Sequence, residues 1–278
     1  MPSRTPCILA FDSGLGGLTV FSELVKARPD ANFVYAADDA AFPYGGLSES
    51  ELVARVLAVM ERLVVRHAPD LAVIACNTAS TLVLPHLRER FGLPFIGTVP
   101  AIKPAATTSR SRRISILATP GTVKRDYTRG LVEAYAAECQ VALVGSQRLA
   151  GFAEAELRGD PVSDAELAAE LAPCFVEDEG GRTDVVVLAC THYPLLAHRL
   201  RRLAPWPVAW IDPAPAVARR MVDVMHGADP SPAPHPPGER LAVFTGGRGL
   251  DSALRAALAR RGLGQVSIDP FPLGAGEH

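Results

Sequence analysis

Short apolar runs rich in β-branched residues alternate along the chain with longer stretches of helical periodicity. This alternation constrains the fold more than any other feature. Strands are expected near 6–11, 32–36, 70–75, 94–97, 113–118, 140–144, 184–189, 207–211 and 241–245. Helical stretches fall near 17–27, 49–67, 80–91, 101–108, 121–138, 148–157, 163–178, 194–203, 213–226 and 250–261. Within 49–67, Leu52, Val56, Val59, Met60 and Leu63 recur at helical spacing, with Glu49, Glu51, Arg55 and Arg62 elsewhere round the turn. Strands alternating with helices build βαβ units, whose sheets are mostly parallel and buried on both faces. The expected class is α/β.

One unit occurs twice. Val73-Ile74-Ala75 runs into Cys76-Asn77-Thr78, and Val187-Leu188-Ala189 runs into Cys190-Thr191-His192. The interval is far longer than a solenoid repeat, so a domain-like unit is duplicated rather than arrayed. The expectation is two similar lobes, each a mostly parallel sheet flanked by helices, with the active site in the cleft between them. Crossings at Gly97-Thr98-Val99-Pro100 and around Trp210-Ile211-Asp212-Pro213 make one lobe of 1–98 plus 211–278 and the other of 99–210. The proline-rich run 229–238 reads as an extended surface loop before a last strand and helix.

Composition narrows the class. The chain has 278 residues, 48% hydrophobic and 21% charged, enough for a substantial core in one or two domains. A net charge of -2 argues against a nucleic-acid-binding protein. The compact basic run Arg110-Ser111-Arg112-Arg113 reads as a solvated loop. No secretory signal is expected, since Cys7-Ile8-Leu9-Ala10-Phe11 meets Asp12 before reaching the roughly 7–15 apolar residues of an h-region. Nothing approaches the ~18 apolar residues of a spanning helix. Five cysteines with no C-x-x-C fit a reducing cytoplasm better than a disulfide framework.

Ligands of parallel α/β sheets bind beyond the carboxyl ends of the strands. Three strand ends stand out. Phe11-Asp12-Ser13-Gly14-Leu15-Gly16-Gly17 is a strand followed by a Gly-rich turn, either an anion cradle or a tight turn with Asp12 capping a helix. Thr19 stands where a dinucleotide fingerprint needs its third glycine, and no P-loop lysine follows. Cys76-Asn77-Thr78-Ala79-Ser80 places a thiol at a helix start, where orphan N–H groups draw its pKa from ~8.5 toward neutrality. Cys190-Thr191-His192-Tyr193-Pro194 is read in the same setting, with His192 in reach as a proton partner.

A lone buried cysteine is usually inert, but two at matching strand ends are not so readily dismissed. Opposed thiols suit removal of a proton from one face of a carbon and return to the other. Zinc would want a third or fourth ligand at paired spacing that Cys76, Cys190 and His192 lack. A Cys–His hydrolase leaves the second thiol without a task. Cys7, Cys139 and Cys174 lack this context and are read as structural.

Phe11-Asp12-Ser13-Gly14-x-Gly16-Gly17-Leu18-Thr19-Val20, Pro43-Tyr44-Gly45, Cys76-Asn77-Thr78-Ala79-Ser80 and Cys190-Thr191-His192-Tyr193-Pro194 together resemble the glutamate racemases, in order and spacing from about residue 8 to 226. Aspartate and hydantoin racemases share the two-cysteine plan but typically lack the first and last of these blocks. The resemblance implies a cofactor-independent racemase with no metal. It implies that Cys76 and Cys190 are the acid/base thiols, the first acting on the D and the second on the L enantiomer. Asp12 and His192 would assist them. Ser13, Asn77, Thr78 and Thr191 would hold the carboxylates and amine of glutamate, beside Pro43-Tyr44-Gly45. Leu117-Ala118-Thr119-Pro120-Gly121-Thr122 resembles an anion loop, offering Thr119 and Thr122. Glu154 resembles an acidic residue near the histidine, with Glu156 its competitor for that place. No role is assigned to Phe244-Thr245-Gly246-Gly247-Arg248. The implied role is D-glutamate supply for peptidoglycan in the cytoplasm; alternatives are an aspartate or hydantoin racemase, or a secondary gyrase-binding role. No membrane or nucleic-acid partner is expected, and the resemblance allows a homodimer.

Overall fold

A computed structural model describes residues 5–225, 237–247 and 249–271. The run 229–238 lies outside them apart from Pro237 and Gly238. Strands are β1 (Cys7–Asp12), β2 (Asn32–Ala37), β3 (Leu71–Ile74), β4 (Phe95–Gly97), β5 (Arg113–Ala118), β6 (Gln140–Gly145), β7 (Glu177–Asp178), β8 (Gly181–Arg182), β9 (Val185–Ala189), β10 (Ala209–Ile211), β11 (Arg240–Phe244) and β12 (Gln265–Ile268). Helices are α1 (Leu18–Ala27), α2 (Glu49–His67), α3 (Asn77–Arg90), α4 (Ile102–Thr108), α5 (Pro120–Lys124), α6 (Asp126–Tyr135), α7 (Leu149–Arg158), α8 (Asp164–Leu171), α9 (Ala197–Leu203), α10 (Ala214–Met225) and α11 (Ser252–Ala259). The chain divides into two compact units, Met1–Thr98 with Ala214–His278, and Val99–Pro213. Ile211 pairs with Val187, so β10 completes the second unit's sheet before the chain returns to the first.

The first unit holds a six-stranded sheet in the order β12-β11-β2-β1-β3-β4, and every pairing in it is parallel. Its middle strands are covered on both faces: Ile8, Leu9, Ala10 and Phe11 of β1 have no exposed surface. That burial is what a parallel sheet flanked by helices requires, and each fully buried large apolar side chain contributes about 1.5–3 kcal/mol. The second unit holds β10-β9-β5-β6, again all parallel. Reading β1, β2, β3, β4 against β5, β6, β9, β10 gives the same internal order. The duplication inferred from the two cysteine units is therefore a duplication of topology. In each sheet the strand order reverses beside the first strand, next to β3 in one unit and β9 in the other. Such a reversal opens a crevice at the strands' carboxyl ends.

Several expectations are corrected. The stretch 121–138 is two helices, because Arg125 is extended and Thr128 Oγ1 donates to the Thr122 carbonyl at 2.7 Å, taking a backbone acceptor. The stretch 163–178 stops at Leu171; Pro173 cannot continue an α-helix, and a short antiparallel hairpin of β7 and β8 follows. Strand β12 was not foreseen; it is a half-exposed edge strand without a strong apolar signal. Arg113 of the basic run is not solvated: it opens β5 with its side chain buried against Asp178 and the Gly180 carbonyl.

Helix α2 buries Leu52, Val56, Val59, Met60 and Leu63 as its periodicity requires, but buries Arg55 as well. Its start is a capping box: Ser48 Oγ accepts the Glu51 N–H at 3.3 Å, and Ser48 N–H donates to Glu51 at 2.9 Å. Among the described residues no helix is long and apolar enough to cross a membrane.

Candidate active site

In the first unit the predicted residues gather at the carboxyl ends of β1 and β3. Asp12 closes β1 with no exposed surface, and its Oδ2 accepts the Gly17 N–H at 2.6 Å. A Cβ on Gly17 would stand 2.6 Å from the Asp12 Cβ and 3.2 Å from the Ala75 Cβ. Only glycine therefore lets the turn fold tightly over that carboxyl. Tyr35 of β2 holds the same turn by donating to the Gly14 carbonyl at 2.6 Å.

Cys76 is the N-cap residue of α3, which begins at Asn77, three residues earlier than expected. Its thiol is buried and lies 3.7 Å from Ser13 Oγ. The positive end of the α3 helix dipole favours negative charge at this point. Asn77, Thr78 and Ser13 are all buried around it. Among the described residues, neither end of the Asn77 side-chain amide finds a hydrogen-bond partner. Buried amides are nearly always satisfied, so this one is set up for a polar group from outside the chain. Pro43 and Gly45 are exposed on either side of buried Tyr44, in a 3₁₀ turn that packs against α3.

In the second unit the corresponding strand ends belong to β5 and β9. Thr119 caps α5, accepting the Thr122 N–H at 3.3 Å, and the two hydroxyls lie 3.1 Å apart. Cys190 follows β9 as Cys76 follows β3, but its surroundings differ. A 3₁₀ turn, Tyr193–Leu196, stands where an α-helix start was expected. What Cys190 has instead is an imidazole. His192 Nδ1 lies 3.8 Å from Cys190 Sγ, and its Nε2 lies 3.1 Å from Glu154 Oε1. Arg158 donates to the other oxygen of Glu154 at 3.0 Å. Cys190, Thr191, His192 and Glu154 are each at most 6% exposed.

Glu154 on α7 is thus the carboxylate that meets the histidine. Glu156 turns to Arg199, at 2.7 Å, and to His198. A carboxylate at Nε2 selects the tautomer protonated there, leaving Nδ1 to accept a proton from the thiol side.

The remaining cysteines do not join either group. Burial pushes the Cys174 thiol up to about 12, so it stays protonated and unreactive at ordinary pH. Among the described residues, no three of the His, Cys, Asp and Glu side chains gather as a metal site needs. Asp38 escaped the sequence reading, and Arg55 and Thr245 were given no role there; Asp38 and Thr245 follow the ends of β2 and β11, and Arg55 reaches them from the middle of α2. Asp38 follows β2 directly, so the strand-end rule applied to β2 would have singled it out.

Residues 17–221 match the Asp/Glu/Hydantoin racemase family. Glutamate racemase of Mesorhizobium japonicum is 57% identical over 243 residues, 87% of this chain and 92% of that one. That of Agrobacterium fabrum is 53% identical over 257 residues, 92% of this chain and 93% of its own. Escherichia coli glutamate racemase, solved with L-glutamate and the activator UDP-MurNAc-Ala, superposes with a TM-score of 0.87 at 39% identity, covering 96% of this chain and 99% of that chain. The chain belongs to the aspartate/glutamate/hydantoin racemase family, among the glutamate racemases, and is an amino-acid racemase.

Proposed function

We propose that the chain interconverts L- and D-glutamate without a cofactor, Cys76 and Cys190 each moving a proton at one face of the α-carbon, and that it supplies D-glutamate for peptidoglycan in the cytoplasm. The likeness to the Escherichia coli glutamate racemase solved with L-glutamate, over 96% of this chain, carries the choice of substrate. The α-proton of an amino acid is a poor acid, so negative charge developing on the substrate carboxylate must be met by preorganised donors. Ser13, Thr78, Thr119, Thr191 and the Asn77 amide are the side chains proposed to meet it. One thiolate takes the proton while the other thiol delivers one, and the assignments exchange in the reverse direction. Asp12 serves Cys76. His192, oriented by Glu154, takes and returns the Cys190 proton.

The test is purified protein with L-glutamate in D₂O, free of pyridoxal phosphate and metal, following optical rotation and α-deuterium together. Loss of rotation accompanied by α-deuterium is the expected result. A folded protein that changes neither would overturn the proposed substrate and turn attention to aspartate.

His192→Asn tests the second thiol's partner. It is expected to lower kcat about 10²-fold, more in the L-to-D direction, where Cys190 must begin as the base. Enantiomers have equal free energies, so kcat/KM must stay equal in the two directions. An unequal loss of kcat therefore has to appear with an unequal change in KM. Equal losses of kcat would sink the pairing of His192 with Cys190.

A further inference from the structure

A second buried carboxylate stands beside Asp12. Asp38 follows β2, has no exposed surface, and donates its backbone N–H to the Asp12 carbonyl at 2.8 Å. Four donors saturate its two oxygens. Oδ2 accepts from the Tyr44 hydroxyl at 2.6 Å and from Arg55 Nε at 2.8 Å. Oδ1 accepts from Thr245 Oγ1 at 2.6 Å and from Arg55 Nη2. Thr245 in turn accepts the Ala40 N–H at 3.2 Å, and Asp39 accepts the Gly246 N–H at 2.7 Å. The ends of β2 and β11 and the middle of α2 are thereby tied to one point.

A carboxylate enclosed by four donors has no lone pair left to act as a base. What it can do is hold. The group it holds at its outer side is Tyr44, which is buried between exposed Pro43 and exposed Gly45. Tyr44 lies in the same apolar cluster as Cys76, and its turn packs against α3, which starts at the residue after Cys76. Because the phenol is turned inward to Asp38, what the turn presents outward is exposed Pro43, Gly45 and Gly46, not the Tyr44 hydroxyl.

We infer that Asp38, clamped by Arg55 and Thr245, is a positioning residue that sets the Pro43–Gly45 backbone against the thiol of Cys76 through the Tyr44 hydroxyl. The inference deepens the proposed racemase site and rests on it. An apolar filling could stabilise this corner without desolvating a charge. A four-donor carboxylate adds a fixed direction for the Tyr44 hydroxyl, and a fixed direction is what a substrate-facing turn needs.

The experiment compares the wild type with Tyr44→Phe and Asp38→Asn, measuring racemisation of glutamate and amide hydrogen exchange over residues 39–47 without substrate. Tyr44→Phe removes one hydroxyl and leaves Asp38 three donors, so it keeps the fold even where Asp38→Asn, which strands Arg55, does not. Tyr44→Phe is expected to raise KM for glutamate about tenfold with kcat within about twofold, and to speed amide exchange at residues 44–47. Unchanged KM and unchanged exchange in Tyr44→Phe would overturn the inference. So would a fall in kcat with KM intact, which would place the hydroxyl at the reacting atoms. Turnover of glutamate by the wild type checks the substrate separately, and the substrate-free exchange decides the positioning role however that control falls.

Discussion

Cys76→Ser is expected to lower racemisation of glutamate by about 10³-fold in both directions, and Cys190→Ser to do the same. Serine preserves size and replaces a group that ionises readily with one that does not, so each variant keeps one working acid/base group out of two. Racemisation needs both, because inversion removes the proton from one face and delivers it to the other. Exchange with solvent needs only one. Cys76→Ser should still wash deuterium into L-glutamate, and Cys190→Ser into D-glutamate, each without inversion. Proton spectra of the separate enantiomers in D₂O read this directly. Racemisation at the wild-type rate in either variant would show that the thiol concerned is only a buried side chain, and would return the matched cysteine units to a structural role.

The second large effect concerns stability. Arg55→Met should destabilise the protein by about 3–5 kcal/mol, seen as a lower urea midpoint and a fall of about 10 °C in the thermal midpoint. The side chain of Arg55 is 7% exposed and that of Asp38 not at all, so removing the guanidinium leaves a carboxylate with no water to turn to. Burial, the largest influence on Arg55, works against its charge, yet the hydrogen bond and charge of Asp38 raise its pKa above the ordinary value. The guanidinium also places Phe271 under it, 4.6 Å from the ring centroid, so Phe271 is loosened by the same change. Replacing both partners, Asp38→Leu with Arg55→Met, should recover most of the loss, since no charge is then left buried alone. A loss below about 1 kcal/mol for the single change would put the pair in the class of solvated surface bridges.

Arg55 also shows where sequence reasoning stops. It occurs three residues after Leu52 and one before Val56, on the apolar face of α2, and was expected round the turn with the other charges. Periodicity gives the direction in which a side chain points. It does not say that the carboxylate of Asp38, 17 positions back, waits there. The breaks in 121–138 and 163–178 have a nearer cause: a threonine hydroxyl competing for a carbonyl in one, and a proline followed by a glycine-turned hairpin in the other. Edge strand β12 escaped because a strand with one flank open to water needs no continuous apolar run.

The candidate site was legible unevenly for the same reason. Asp12, Cys76 and Cys190 each follow a buried run, and a strand-end rule finds them from local pattern alone. The partnership of His192 with Glu154 joins residues 38 positions apart on different elements; only family resemblance pointed to it, and only coordinates separate Glu154 from Glu156.

By itself, then, the sequence determined the alternation of strands and helices, the parallel α/β class, the duplication and the thiol at the third strand end of each unit. All of these follow from short-range periods and from which residues end an apolar run. The tertiary structure alone decided the strand order that puts β1 between β2 and β3, and β5 between β6 and β9. It alone brought Thr245 to Asp38 across 207 positions. Such contacts are set by which strands pair and in what register. A buried polar side chain finds its partner through that pairing, and no period in the chain encodes it.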